Sequence, residues 1–366
     1  MRIAMVGTRG IPARSGGVER VVEELAAELT ARGHEVIVYS RPHYVAGRPQ
    51  APFGRTIATA GLRGKHLDSL THTATAMFDL LRRKADVVHL HSPGPALLSW
   101  IPRLAGLPLV LTIHAPDWQR QRWSRPPRAA LKLGLACGMK LAAAVTSVSP
   151  SLCRQLSAQY GREVHWVPNG VRPAVPQPIR QITRWGLRDD GYVLNVGRIV
   201  PEKRLDLLLR AWPPVAKSHL HKLVVVGETT EAAYARHCRA VACEGVVFTG
   251  ELSGDVLLEL YSHAALMVHP SSLEGMSLVL LEAASFGRCI VAANIEANHD
   301  VMGDSILYFS RDDADDLANR ICQALGSQEE RREAGRRAKA LVESRYTWPA
   351  AAALMESIYR QAIRGS

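Results

Sequence analysis

Several things that commonly announce a function are missing from this 366-residue chain. Its six cysteines (137, 153, 238, 243, 289 and 322) include no C-x-x-C spacing, so neither a zinc ribbon nor a disulfide framework is indicated. A reducing, cytoplasmic setting is the default that follows. No run approaches the roughly 18 uninterrupted apolar residues of a spanning helix, and Lys132 and Lys140 interrupt the nearest candidate. The opening stretch, Met1 to Gly7, is too short in its apolar run for a signal peptide and reads as a first strand. No G-x-G-x-x-G and no Walker lysine follow that strand, which argues against a Rossmann dehydrogenase and a P-loop enzyme. No helix-turn-helix, RNA-recognition or zinc pattern occurs either, which argues against a nucleic-acid partner.

Acidic residues are scarce in one half only. Residues 1–170 carry 22 Lys and Arg against 10 Asp and Glu, whereas residues 171–366 carry 23 against 24. A one-sided field suits a partner that is anionic, such as a phospholipid surface or a lipid diphosphate. Part of the excess reflects a general preference for arginine, which supplies 37 of the 45 basic residues. The stretch from Trp118 to Arg128, with two tryptophans and four arginines, is a candidate for contact with anionic headgroups or an anionic acceptor.

What is present is an ordinary globular composition, 47% hydrophobic and 22% charged, in a chain too long for one ordinary core. Both halves alternate short β-branched runs with helical patterns, the mark of parallel α/β sheets. In the first half, 3–6, 35–39, 87–90, 110–113, 144–147 and 164–167 read as strands, with helices over 18–31, 66–83 and 126–141. Pro168-Asn169-Gly170 is a turn, and the Pro-rich segment after it reads as a linker. Strands resume at 192–197, 223–226, 246–249, 266–269 and 290–293, and helices follow over 313–325, 329–343 and 349–363. The expected architecture is two Rossmann-like domains facing across a cleft, 1–170 and 171–345, with 346–366 returning as a helix to the first.

The most informative stretch is Glu274-Gly275-Met276-Ser277-Leu278 leading into Glu282. Eight residues bring helical side chains back to nearly one face. Glu274 is expected in the loop at a helix mouth, with Glu282 deeper along the same side. Between them, first-turn amides and the positive end of the macrodipole suit a phosphate. Carboxylates for hydroxyls beside amides for phosphate is what a nucleotide-sugar site needs. Gly197 and Gly227 each end a strand, where α/β sheets place ligands. Arg198 and Lys203 flank the turn after the first of them, and a lysine near a helix N-terminus is unfavourable without an anion nearby. In the first half, Gly16 and Gly17 stand before a helix and let backbone approach a diphosphate. His114 lies just past a strand end. His89 and His91 share a strand face and could ligate a metal, but with no third ligand they read as polar packing. The acidic run from Asp312 to Asp316 reads as a helix cap.

Taken together, the Gly16-Gly17 loop, His114, Val196-Gly197-Arg198 with Glu202-Lys203, and the Glu274/Glu282 pair resemble the retaining GT-B glycosyltransferases of family four, nearly end to end. Gly7 to Ala13 and His114 with Asp117 to Arg120 resemble more narrowly a bacterial subgroup, often called rhamnosyltransferases, assigned to surface-polysaccharide assembly. The resemblance implies a nucleotide-diphosphate sugar donor, no metal or other cofactor, and an acceptor saccharide, lipid-linked saccharide or aglycone. It implies diphosphate contacts from Arg198 and Lys203, ribose contacts from Glu282, and a donor-sugar contact from Glu274. Amides of Gly275, Met276, Ser277 and Leu278 would line the site, Gly16 and Gly17 would close over the phosphates, and His114 would stand beside the reacting sugar. Three positions depart from the pattern: Arg204 where glycine is usual, Ser15 where an aromatic often stands, and Arg288 for a frequent proline. A GT-B sugar-nucleotide epimerase, an inactive relative, or a binding protein using the basic first half are the alternatives. Peripheral contact of the first domain with an anionic membrane is a further expectation.

Overall fold

The computed structural model describes residues 1–14, 16–47, 51–62, 64, 67–120 and 123–365. The chain divides into two units, Met1–Gly170 with Trp348–Ser366, and Val171–Thr347. Ser15 and His66, two positions the sequence reading uses, lie outside the described residues.

Unit 1 is built on seven parallel strands: β1 (Arg2–Val6), β2 (Glu35–Ser40), β3 (Arg55–Ala58), β4 (Val87–His91), β5 (Leu109–Ile113), β6 (Ala144–Ser147) and β7 (His165–Trp166). Their order is β3-β2-β1-β4-β5-β6-β7. The connecting helices are α1 (Gly17–Ala31), α2 (Pro42–Val45), α3 (Leu67–Leu81), α4 (Trp100–Leu104), α5 (Arg125–Leu141) and α6 (Pro150–Tyr160). The inner strands β4, β5 and β6 are buried along their whole length because both faces are covered, and the polar side chains they carry, such as His89 and Thr112, are hydrogen-bonded. Ala4, Val6, Val88, Leu90, Leu111 and Ile113 meet side chains of α3, α5 and α6. Ile3, Met5, Val87 and Val110 meet those of α1 and of the chain's last helix.

Unit 2 has six strands, β8 (Tyr192–Val196), β9 (Lys222–Val226), β10 (Val246–Gly250), β11 (Leu266–His269), β12 (Cys289–Ala293) and β13 (Leu307–Phe309), in the order β10-β9-β8-β11-β12-β13. Its helices are α7 (Leu205–Ser218), α8 (Ala232–Val241), α9 (Asp255–His263), α10 (Leu278–Ser285), α11 (Glu296–Met302), α12 (Ala314–Gly326) and α13 (Gln328–Arg345). The last helix, α14 (Trp348–Arg364), packs on α1 in unit 1. Tyr346 and Thr347 stay with unit 2, two residues beyond the sequence boundary. The Tyr346 hydroxyl donates to the Val301 carbonyl at 3.0 Å, and its own carbonyl accepts from Val171 N at 2.8 Å.

Strand order reverses between β1 and β4 in unit 1, and between β8 and β11 in unit 2. In open α/β sheets the crevice outside the carboxyl ends of such a pair is where ligands bind. The segments leaving these four strands are the Gly7 loop, His91, Gly197-Arg198 and His269 to Glu274. Topology therefore selects one end of each sheet before any side chain is considered.

Candidate active site

In unit 2 the site begins with a close backbone approach. Gly197 N donates to the Val226 carbonyl at 2.9 Å, and a Cβ on Gly227 would lie 1.8 Å from the Gly197 carbonyl oxygen. Only glycine lets β8 and β9 end this close together. Arg198 leaves that edge half-buried, and a short 3-10 turn, Pro201–Lys203, follows. Arg204 then takes a left-handed conformation (φ 51°), which explains why glycine is usual there. Ion pairs to Asp206 at 3.3 Å and to Asp312 hold it in place.

The loop after β11 is tied to this turn, because Ser272 N donates to the Glu202 carbonyl at 2.9 Å. The tie brings Lys203 Nζ to 2.5 Å from Glu274 Oε1, and His269 Nε2 lies 3.1 Å from the same oxygen. Burial alone would raise the Glu274 carboxyl. The Lys203 ammonium and the His269 ring outweigh it and hold the group well below the usual carboxylate range. His269 is pulled down by its burial, against the pull of Glu274. Glu274 is thus a fixed anion at the mouth of α10.

Ser277 is the N-cap of α10, extended in backbone, and its hydroxyl makes no capping bond. The helix mouth lined by Gly275, Met276, Ser277 and Leu278 therefore has no side-chain cap of its own. Glu282 lies in the second turn, where the Tyr261 hydroxyl donates to its Oε2 at 3.0 Å. Two cavities of unit 2, about 300 Å³ beside Asp190 and Arg331 and about 420 Å³ beside Glu330 and Arg337, include none of these residues. The first lies by Asp189 and Asp190, which precede β8, at the strand end opposite to where α/β sheets bind ligands.

In unit 1, Gly16 has φ 99°, and a Cβ there would meet Glu19 Oε2 at 2.3 Å and Arg9 Nη2 at 2.4 Å. Gly17 opens α1 with free space around it. Glu19, in the first turn of α1, accepts from Arg9 N at 3.2 Å, Nε at 3.1 Å and Nη2 at 3.2 Å. Burial would raise the Glu19 carboxyl, but these bonds keep it lowered and ionised. A carboxylate of the chain therefore already sits at this helix end.

His114, past β5, is buried, and its Nε2 lies 3.1 Å from His91 Nδ1 with the rings stacked. His89 shares hydrogen bonds with the Tyr359 hydroxyl at 2.7 Å and with Thr112 Oγ1 at 2.6 Å, so both its nitrogens are engaged. The polar-packing reading of His89 stands, and its partner Tyr359 comes from α14. Burial pushes His89 down to about 3 and His114 down to about 4, so both rings are neutral at pH 7. His91 and His114 line a cavity of about 20 Å³, room for a single water.

The described residues of the Trp118–Arg128 stretch divide between the core and the surface, where Arg125 is exposed. Trp118 turns inward and is buried in the core of unit 1. Arg120 pairs with Asp117 at 2.7 Å, and Arg128 donates to the Trp123 carbonyl at 3.2 Å. Gln121 and Arg122 lie outside the described residues. The acidic run at 312–316 is a cap, Asp313 Oδ1 accepting from Asp315 N and Asp316 N at 3.0 Å each. Sequence reasoning missed His269, Tyr261 and the Arg9–Glu19 fork. Only the five-residue spacing of His269 from Glu274, across a strand end, offered a signal for the first.

Residues 15–175 match the family model Glycosyltransferase Family 4, and residues 190–327 match Glycosyl transferases group 1. The D-inositol 3-phosphate glycosyltransferase of Acidothermus cellulolyticus is 28% identical over 340 residues, covering 80% of this chain and 75% of the relative. Among solved structures, sucrose-phosphate synthase from Thermosynechococcus elongatus superposes with a TM-score of 0.83 at 22% identity, covering 100% of both chains. The Anabaena protein HepE, in complex with UDP and glucose, gives 0.82 at 17% identity, covering 98% of this chain and 99% of that one. At these identities the solved structures establish the fold. Among the described residues no helix is long and apolar enough to cross a membrane.

Proposed function

We propose, for a chain that belongs to the family four glycosyltransferases and has the GT-B fold, transfer of a sugar from a nucleotide diphosphate to an acceptor hydroxyl with retention of configuration. The observation that carries this reading is the Lys203–Glu274–His269 constellation beside the uncapped start of α10. An ionised, immobile Glu274 is suited to hold donor-sugar hydroxyls. Lys203 and Arg198 are suited to the charge that develops on a departing diphosphate, with the α10 amides adding fixed dipoles. Glu282 is assigned the ribose hydroxyls, and Tyr261 orients it. Retention is assigned to a front-face route in which the leaving phosphate takes the acceptor proton. Gly16 and Gly17 are assigned to donor closure and His114, as a neutral ring, to the reacting side of the sugar. The UDP held by HepE supports a nucleoside diphosphate as donor fragment, and a lipid-linked saccharide in bacterial polysaccharide or glycolipid synthesis is the acceptor class we favour.

The test is thermal stabilisation by UDP, GDP, dTDP and ADP, with and without a divalent metal, on wild type and Glu282→Ala. A ligand at a hundred times its Kd stabilises by about 2.7 kcal/mol. One diphosphate is expected to give such a shift, independent of metal and lost in the variant. No response to any of the four would remove the donor assignment.

A further inference from the structure

Unit 1 carries an exposed face that the transfer site does not use. On α3, Leu67, Thr71, Ala74, Phe78 and Leu81 recur at helical spacing along one side, and Phe78 is 58% exposed. On α4, Trp100 and Leu104 lie one turn apart, and Leu104 is 80% exposed. On α5, Leu133 is exposed in the same manner. α4 contacts both α3 and α5, and all three elements cover the same side of the sheet, so these groups are carried by neighbouring helices on one side of unit 1.

Cations outnumber acids in the segments that carry these groups. Segments 67–84, 95–106 and 125–141 contain eight Lys and Arg against two acids, Asp68 and Asp79. Asp68 is held by Arg41 at 2.7 Å, and Asp79 by Arg83 and by the Tyr39 hydroxyl at 2.9 Å. Arg82, Lys84, Arg103, Arg125, Lys132 and Lys140 are exposed. Isolated exposed leucines need no explanation, but five large apolar side chains exposed on three neighbouring helices that also carry a cationic excess do.

We propose that the α3–α4–α5 face is a docking surface for an anionic phospholipid bilayer, with Phe78, Leu81, Trp100, Leu104 and Leu133 entering the headgroup layer. Two-fold pairing with a second copy would set these cations against themselves. A nucleic acid would satisfy the cations and leave the aliphatic side chains in water. A bilayer with acidic headgroups satisfies both. The inference adds a partner to the proposed transfer and explains how a lipid-linked acceptor would be met, but it needs no donor to be tested.

The test is flotation of the full chain with phosphatidylcholine vesicles, with and without phosphatidylglycerol, at low and high salt. Retention is expected only with phosphatidylglycerol, weakening by about fivefold for each cation removed in Arg103→Gln and Lys132→Gln. Phe78→Glu/Leu104→Glu is expected to abolish retention while leaving the thermal transition unchanged, since both side chains already face water. Wild-type retention by that double variant would overturn the assignment of this face. So would failure of wild type to float, whether accompanied by self-association in the ultracentrifuge or by binding to polyanionic RNA instead. Loss of nucleotide response with intact flotation would bring down the donor site and leave this surface standing.

Discussion

Removing the Lys203 ammonium while keeping its stem, as in Lys203→Met, should expose how strongly the candidate site is held by its own charges. The side chains of Lys203 and Glu274 are only 20% and 12% exposed, and their charged atoms are 2.5 Å apart. Deleting one member of a buried pair costs about 3–5 kcal/mol, mostly from the charge left behind. His269 remains beside Glu274, so the lower end, about 3 kcal/mol, is the expectation. For a unit of this size that lowers the melting temperature by roughly 6–12 °C. Glu274→Gln should cost less, about 1–2 kcal/mol, because Lys203 has some access to water. The double variant should be less damaged than the sum by about 2 kcal/mol. The native Glu274 carboxyl is depressed, so its contribution is present above the unfolded carboxylate value and lost only as pH falls through the native one. In Lys203→Met the uncompensated carboxylate should instead protonate at higher pH. The deficit against wild type is then widest near pH 8 and narrows on acidification. Calorimetry on the four proteins across pH decides it; additive effects, or a deficit indifferent to pH, would refute a buried, mutually compensating pair. The double variant, about as stable as Lys203→Met alone, should still fail to respond to any nucleoside diphosphate, so that adding the second substitution changes the pH dependence without recovering a role toward a ligand.

Other perturbations follow the same logic. His114 is neutral in the fold, with its pKa down at about 4 against an unfolded value near 6.5. The unfolded chain therefore binds the extra proton between those values, and stability drops by about 1.4 kcal/mol for each unit by which pH is lowered across that window. Denaturant titrations from pH 6.5 to 5 should show a shallower slope in His114→Gln, and an unchanged slope would mean that the ring is not buried neutral. Gly227→Ala should cost more than about 4 kcal/mol or prevent unit 2 from folding, since its Cβ meets backbone at 1.8 Å; a soluble variant with native melting would show that the strand ends can separate. Arg204→Gly relieves about 1 kcal/mol of left-handed backbone and forfeits ion pairs worth about as much. Its melting should thus stay near wild type, whereas Arg204→Val should fall by about 2 kcal/mol.

The parts of the fold legible in the sequence were those whose burial is two-sided. β1, β4, β5, β8, β9, β11 and β12 lie inside their sheets, and their largely apolar, β-branched runs betray them. β3 and β13 are edge strands of four and three residues, Arg55–Ala58 and Leu307–Phe309, partly exposed. They are too short for a periodic signal, so the sequence reading passed over them. α6 escaped too, although Ser149 accepts from Leu152 N at 3.3 Å and Gly161 closes the helix in a left-handed turn. Those punctuation marks were present at 149 and 161, but the polar stretch between them hid the period. Trp118 was misjudged because composition alone does not say which way a one-turn helix faces. Phe78, within the helix expected over 66–83, was overlooked for the converse reason: on paper an apolar residue in a helical pattern reads as core.

A second distinction was beyond any reading of residue types, because unit 2 places similar charged groups at both ends of its sheet. Where β8 begins, Asp189 meets His263 at 2.8 Å and Asp190 meets Arg331 at 2.7 Å, while Arg288 donates to the Ala264 carbonyl at 3.0 Å. These bonds tie α9, α13 and the strand starts to one another. Where β8 and β11 end, Lys203, His269 and Glu274 converge beside a helix whose N-cap hydroxyl caps nothing. The first set spends its charges on joining elements. The second concentrates a fixed anion, a cation and a helix dipole at the place where the sheet's topology leaves a crevice. Arg288, a departure from the family pattern, belongs to the first set, so its effect should fall on stability. Arg204, the other departure within unit 2, belongs to the turn that presents Lys203. Substitutions there should be felt in nucleotide affinity even when the melting temperature does not move.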